Sequence, residues 1–128
     1  MRRTMAMMLA LVGIMAVGAS QGHAATLFCP PLPVAMDDVC VCKVFNYDDK
    51  TVEGIEIILV LADGTRSAKF KEEFDILQNN SAEKFEVIGA ATNCGCEVLK
   101  VGKKQRASLS DIRGGVLLTT AQCTESNR

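Results

Sequence analysis

Cys40-Val41-Cys42 and Cys94-Gly95-Cys96 are the two stretches around which this chain is organised. Residues i and i+2 of a β-strand face the same side, so each Cys-x-Cys in an extended segment presents two thiols side by side. Those two do not reach each other: they stand roughly 6–7 Å apart, whereas a disulfide needs Cβ atoms about 3.8 Å apart. A second Cys-x-Cys lying opposite gives each sulfur a partner. Cys40 and Cys42 are therefore expected to bond with Cys94 and Cys96, and the remaining Cys29 and Cys123 to tie the two ends of the domain together. Other readings of the same residues stand beside this one, since spacing does not choose among the possible pairings. Four thiolates could share a zinc ion, although structural zinc sites usually space their ligands by about two to four residues. Cys94-Gly95-Cys96 could also form a redox dithiol on a tight turn that Gly95 permits.

The N-terminus sets the expected compartment. Arg2-Arg3 is a basic head, Met5 to about Ala19 is apolar, and Gly22-His23-Ala24-Ala25 supplies small residues for cleavage. That is the order of a secretory signal peptide over residues 1–24. Its apolar run is shorter than the roughly 20 residues of a spanning helix, so no membrane insertion is expected after cleavage. Leu27-Phe28 before Cys29 does not suit lipidation, and Thr4-Met5-Ala6 adds nothing to a twin-arginine reading. The expected location is secreted or periplasmic. Cleavage removes the only histidine, His23, and leaves Met36 as the only methionine, so histidine and methionine-rich metal sites go with it. Twelve basic side chains then face fifteen acidic ones, a balance that offers no general attraction to nucleic acid or anionic lipid.

The mature chain is long enough for one domain. Pro30-Pro31-Leu32-Pro33 excludes helix and a central strand, so residues 25–37 read as an extended proline-rich arm and residues 38–128 as a single domain. Val39 to Tyr47 is β-branched and aromatic, with Cys40, Cys42 and Val44 on one face. Ile55 to Leu61 is apolar on both faces and reads as a central strand. Asp63-Gly64 signals a hairpin, with Arg66 to Lys71 returning, Ala68 and Phe70 inward. Lys71 to Gln78 reads as a helical turn or a crossing loop. Phe85 and Val87 share a face, Cys96, Val98 and Lys100 share another, and Ala107 and Leu109 point inward from a strand over 105–112. Arg113-Gly114-Gly115 turns into a last strand from Val116 to Ala121. About seven short strands with regular turns predict an all-β fold: a disulfide-stapled antiparallel β-sandwich of immunoglobulin or fibronectin type, without the core tryptophan of true immunoglobulin domains.

Cys42-Lys43-Val44-Phe45-Asn46, the apolar strand ending at Asp63-Gly64, Cys96-Glu97-Val98 and the hairpin from Lys104 to Ala121 together resemble small secreted bacterial β-sandwich proteins of unassigned function. The resemblance spans most of the mature chain and implies the fold and export. It supplies no active site, and Cys40 and Cys94 depart from that group's single-cysteine pattern.

Catalytic machinery is not legible. Ser67, Ser81, Ser108, Ser110 and Ser126 lack a nucleophile-elbow context, and no histidine remains for a triad. Asp37-Asp38, Asp48-Asp49 and Glu72-Glu73 are neighbours that a strand turns to opposite faces. Asp48-Asp49 with Glu53 could offer weak calcium ligation, but without the spacing of a known calcium loop. Lys103, Lys104 and Arg106 form a small basic turn with few aromatics, a poor nucleic-acid platform. Asn79-Asn80-Ser81 spells a glycosylation acceptor for a eukaryotic host. The expected function is that of a non-enzymatic binding or structural module with no cofactor and no metal, whose partner is another envelope or extracellular protein. The alternatives are a thiol–disulfide protein acting through Cys94 and Cys96, and a thiolate metal-binding protein.

Overall fold

The computed structural model describes residues 25–125; the expected signal peptide lies outside them. Nine strands follow in order: β1 (Ala25–Val34), β2 (Val39–Asn46), β3 (Val52–Ala62), β4 (Ser67–Ile76), β5 (Ser81–Val87), β6 (Thr92–Val101), β7 (Gln105–Arg113), β8 (Val116–Gln122) and the two-residue β9 (Thr124–Glu125). They build two antiparallel sheets, ordered β9-β1-β6-β3-β4 and β5-β2-β7-β8. No helix occurs among the described residues.

The all-β sandwich expected from the alternation is the one found. Cys40, Cys42 and Val44 from β2, Ile55, Ile57 and Leu59 from β3, Val98 from β6 and Leu109 from β7 are all fully buried between the sheets. The bridges are Cys40–Cys94, Cys42–Cys96 and Cys29–Cys123. The first two run from β2 to β6, each an interior strand of its sheet, with Cα atoms 6.7 and 6.3 Å apart. Facing sheets usually pack about 10 Å apart. The bridges therefore hold β2 and β6 close together at the centre. The fully buried core is aliphatic and sulfur-containing, with Phe70 and Phe74 packed partly against it.

Several local expectations change. Residues 25–34 are extended as expected, but they are part of the sandwich and not an arm beside it: they form β1, paired with β6 from Ala25↔Val101 to Val34↔Thr92. The prolines fit because the register shifts between Cys29 and Leu32, and because β9 covers only Leu27 and Phe28 on the outer side. Pro30 to Pro33 thus occupy an open edge, where a missing N–H costs nothing. With β1 and β9 added, nine strands replace seven. Lys71 to Ile76 is neither helix nor loop, since it continues β4 alongside β3 as far as Val52↔Ile76. The 63–66 hairpin is closed by Asp63 N–H donating to the Arg66 carbonyl, so its central pair is Gly64-Thr65, one position beyond Asp-Gly. Gly64 takes the positive φ of 93° that this turn requires. Ala68 is exposed, while Phe70 packs partly against the core.

Lys100 has a φ of 67°, which breaks the strand's alternation. Lys100 is consequently exposed, and Val101 takes the buried position. Phe85 and Val87 do share a face, but it is the outer one, and both are more than half exposed. The inner face of β5 carries Ala82, Lys84 and Glu86 instead. Lys84 there meets Glu72 of β4 at 3.5 Å and ties the two sheet edges on that side. No helix among the described residues is long and apolar enough to cross a membrane.

Candidate functional site

Gly95 sits between two buried cysteines on β6, so its own position faces outward from the five-stranded sheet. It pairs with Val60 on β3. On its other side the bulged segment Pro30-Pro31 of β1 stands up beside it: a Cβ placed on Gly95 would lie 3.8 Å from the Cys29 carbonyl oxygen and 3.9 Å from Pro31. A residue without a side chain between a proline wall and a β-branched wall leaves a trough. Phe28, Pro30, Pro31, Val60 and Ala62 line it, with Asn93, Glu97 and Thr124 as polar neighbours, and it encloses about 640 Å³. Ligand sites commonly occupy roughly 300–1,000 Å³ with mostly apolar walls and a few polar groups. Beyond the trough the same face becomes charged. Glu56 accepts an ion pair from Lys100 at 3.1 Å and from Lys71 at 3.9 Å, and Lys100 holds its carboxyl below the usual range.

The cysteines singled out from the sequence are all bridged, and none of those described is free. Cys94 and Cys96 bond to different partners and are buried. The Cys29, Cys42 and Cys96 sulfurs lie within 4.8 Å of one another, where two bridges pass side by side. Each already shares its sulfur with another sulfur, so zinc ligation would require reduction first. The Asp48 carboxylate accepts from the Asp49 N–H. Asp48, Asp49 and Glu53 are not gathered into a metal-sized cluster among the described residues. Lys103, Lys104 and Arg106 line a shallow cleft with Tyr47, and Arg106 turns back to donate to the Lys103 carbonyl.

Two polar constellations have no signature in the sequence. At one end of the sandwich, Asn46 is fully buried. Its amide donates to the carbonyls of Lys50, Ile76 and Leu77, and its oxygen accepts from Asp48 N–H and Gln105 Nε2. At the other end, Asp38 is buried and accepts from Ala35 N–H and from Arg113 through Nε at 2.7 Å and Nη2 at 3.2 Å. Arg113 and the Ala35 N–H hold the Asp38 carboxyl well below the ordinary range. Asp111, buried next to it on β7, is pushed up to about 6 by burial and by the Asp38 charge. One oxygen of Asp111 has no hydrogen-bond partner.

The Asp111 shift has a sign that can be tested. A carboxyl whose folded pKa is raised favours folding in its protonated form, and that contribution is lost as pH rises from about 4 through about 6. Asp111→Asn keeps the shape, cannot ionise and can donate to Asp38. Thermal melts are expected to show the variant about 1–3 kcal/mol more stable at pH 8, the range for relieving an unpartnered buried group. The gap should close as pH falls towards 4. A gap independent of pH would exclude Asp111 ionisation as its source.

No protein-family model and no curated protein matches the sequence. Among solved structures, the chain is similar to the crystal structure of Thermotoga maritima 1070, with a TM-score of 0.54 at 11% identity, over 80% of this chain and 94% of that one. At that identity the likeness shows the fold alone.

Proposed function

We propose that this chain is an exported, non-enzymatic module of immunoglobulin-like sandwich type, secreted or periplasmic, that binds an apolar segment of another envelope or extracellular protein in the trough over Gly95. The observation that carries this reading is the trough itself: apolar walls, a glycine floor and a size that suits a ligand. Three disulfides support export, because such bridges form and persist in oxidising compartments. The two central bridges are buried, whereas redox-active thiols require exposure. This favours a scaffolding task for the sulfurs and leaves the trough for recognition.

Gly95→Leu tests it. A Cβ at this position meets its neighbours only at ordinary contact distance, so the fold should tolerate the change while the new side chain fills the trough. The neutral dye N-phenyl-1-naphthylamine is expected to bind the native protein saturably, with enhanced emission. The variant should bind about tenfold or more weakly, the effect of losing at least about 1.4 kcal/mol of apolar contact. Equal binding by the two proteins, or no saturable binding to either, would refute the site.

A further inference from the structure

Four strand edges end the two sheets, and three of them are blocked against pairing with another chain. β4 carries Lys69, Lys71, Glu72, Glu73 and Asp75, and β5 carries Glu83, Lys84 and Glu86. β1 is capped by β9 over Leu27 and Phe28 and is proline-rich beyond it. Charge, proline and cover are the ordinary means of protecting an edge. β8 uses none of these three, and carries a single bulge at Leu118 near its hairpin end. Val116-Leu117-Leu118-Thr119-Thr120-Ala121-Gln122 has no charge and no proline, is almost wholly exposed, and ends the four-stranded sheet.

The register says which backbone groups are unpaired. Cys123 N–H donates to the Ala107 carbonyl, and β7 pairs with β8 so that Leu109 faces Ala121 and Asp111 faces Thr119. Antiparallel pairs alternate between exchanging hydrogen bonds and not exchanging them. Thr119 and Ala121 therefore bond to β7, and Thr120 and Gln122 direct N–H and C=O to the open edge; the register shift between Asp111 and Ile112 makes Leu118 the extra residue of a bulge. Arg113-Gly114-Gly115-Val116 holds this strand out as a hairpin, with φ of 59° and 81° at its two glycines, the conformation of a turn that matches strand twist.

We infer that β8 pairs antiparallel with β8 of a second copy of this chain, giving a two-fold dimer in which the two four-stranded sheets become one continuous sheet. Self-pairing is favoured here for a specific reason. A two-fold contact sets each strand against itself, so the other charged edges would meet charges of their own sequence. β8 meets none. Paired about Thr120, its open edge exchanges two hydrogen bonds at that residue, Gln122 offers a further N–H and C=O on each copy, and Thr120 lies opposite Thr120, a favourable cross-strand pair. β8 and the trough lie on different sheets, so neither depends on the other.

The test uses the mature, disulfide-intact protein. Sedimentation velocity across a concentration series is expected to show a reversible dimer, and hydrogen exchange should show Thr120 and Gln122 amides protected as concentration rises. Thr120→Pro removes only an edge-facing N–H and the exposed Ser110–Thr120 hydroxyl contact. It should weaken dimerisation about a hundredfold without changing the far-UV spectrum. Leu118→Lys, which adds the missing charge to the edge, should do the same. Phe85→Ser, on the far edge of that sheet, should leave the dimer intact. A native protein monomeric at every concentration overturns the proposal. So does a dimer that survives both β8 variants, or one that Phe85→Ser dissolves, which would place the contact on the outer sheet face.

Discussion

Replacing Cys40 and Cys94 together by alanine, or Cys42 and Cys96 together, is expected to lower stability by about 2 kcal/mol, and replacing all four by about 6 kcal/mol. The disproportion follows from topology. Each central bridge spans 54 residues, and a loop of that size costs the unfolded chain about 4 kcal/mol of conformational freedom in the chain-entropy account. Yet the two loops are almost the same loop. With Cys42–Cys96 intact, Cys40–Cys94 closes only a small ring of a few residues, for which the same relation gives about 2 kcal/mol. Either bridge thus holds the long loop shut, and only the loss of both opens it. Urea unfolding of the two pair variants and the four-alanine variant, with Cys29–Cys123 retained, measures the non-additivity directly. Additive losses of about 4 kcal/mol each would mean that the bridges act separately, through local packing and not through the shared loop.

That clamp was the most legible part of the molecule, for the same physical reason that makes it effective. A one-residue spacer on a strand fixes which way both sulfurs point, whatever lies around them. The aliphatic face of β3 was legible on the same ground. Where the sequence misled, a single local feature had broken the period or moved a segment's neighbours. Lys100 took a positive φ and exchanged places with Val101. The prolines of β1 exclude a central strand and read as an extended arm, and what admits them to the sheet is the two-residue β9, which leaves their edge open. Phe85 and Val87 share a face as their alternation predicts, but which face meets the core is not readable from it: theirs is the outer one, with Lys84 on the inner face 3.5 Å from Glu72. The trough had no sequence signal at all. It depends on a glycine in β6 lying between Pro31 and Val60, residues of two other strands, and such adjacency is a property of the sheet order. β8 is a partial case: its lack of charge was visible, but its place at the end of a sheet was not.

Asn46→Ala is expected to cost about 4 kcal/mol, among the largest effects a single uncharged substitution can have in this chain. Asn46-Tyr47-Asp48-Asp49-Lys50 reads from its residue types as a turn, and Tyr47 is more than half exposed. Asn46 itself is turned inward, where it holds together three separate pieces of chain. Its backbone N–H donates to the Asn80 carbonyl, and its own carbonyl accepts from Asn79. Its side chain reaches the 50 and 76–77 carbonyls and, through Gln105, the start of β7. Gln105 in turn accepts from the Gly102 N–H. Removing the amide therefore strands two buried groups, the Ile76 carbonyl and the Gln105 amide, each costing about 1–3 kcal/mol before relaxation, and unpairs the part-buried groups at Lys50, Leu77 and Asp48. Asn46→Asp separates size from hydrogen bonding. It is isosteric, it retains the acceptor for Asp48 and Gln105, and it loses the donors to three carbonyls. At pH 7 it also places a charge among carbonyl oxygens, so it should destabilise at least as much as alanine, with partial recovery in acid as the carboxyl gains a proton and one donor. Urea midpoints of the two variants at pH 7 and pH 4 make the comparison. An aspartate variant close to the native protein at pH 7 would show that volume at position 46, and not donation by its amide, holds this end of the sandwich closed.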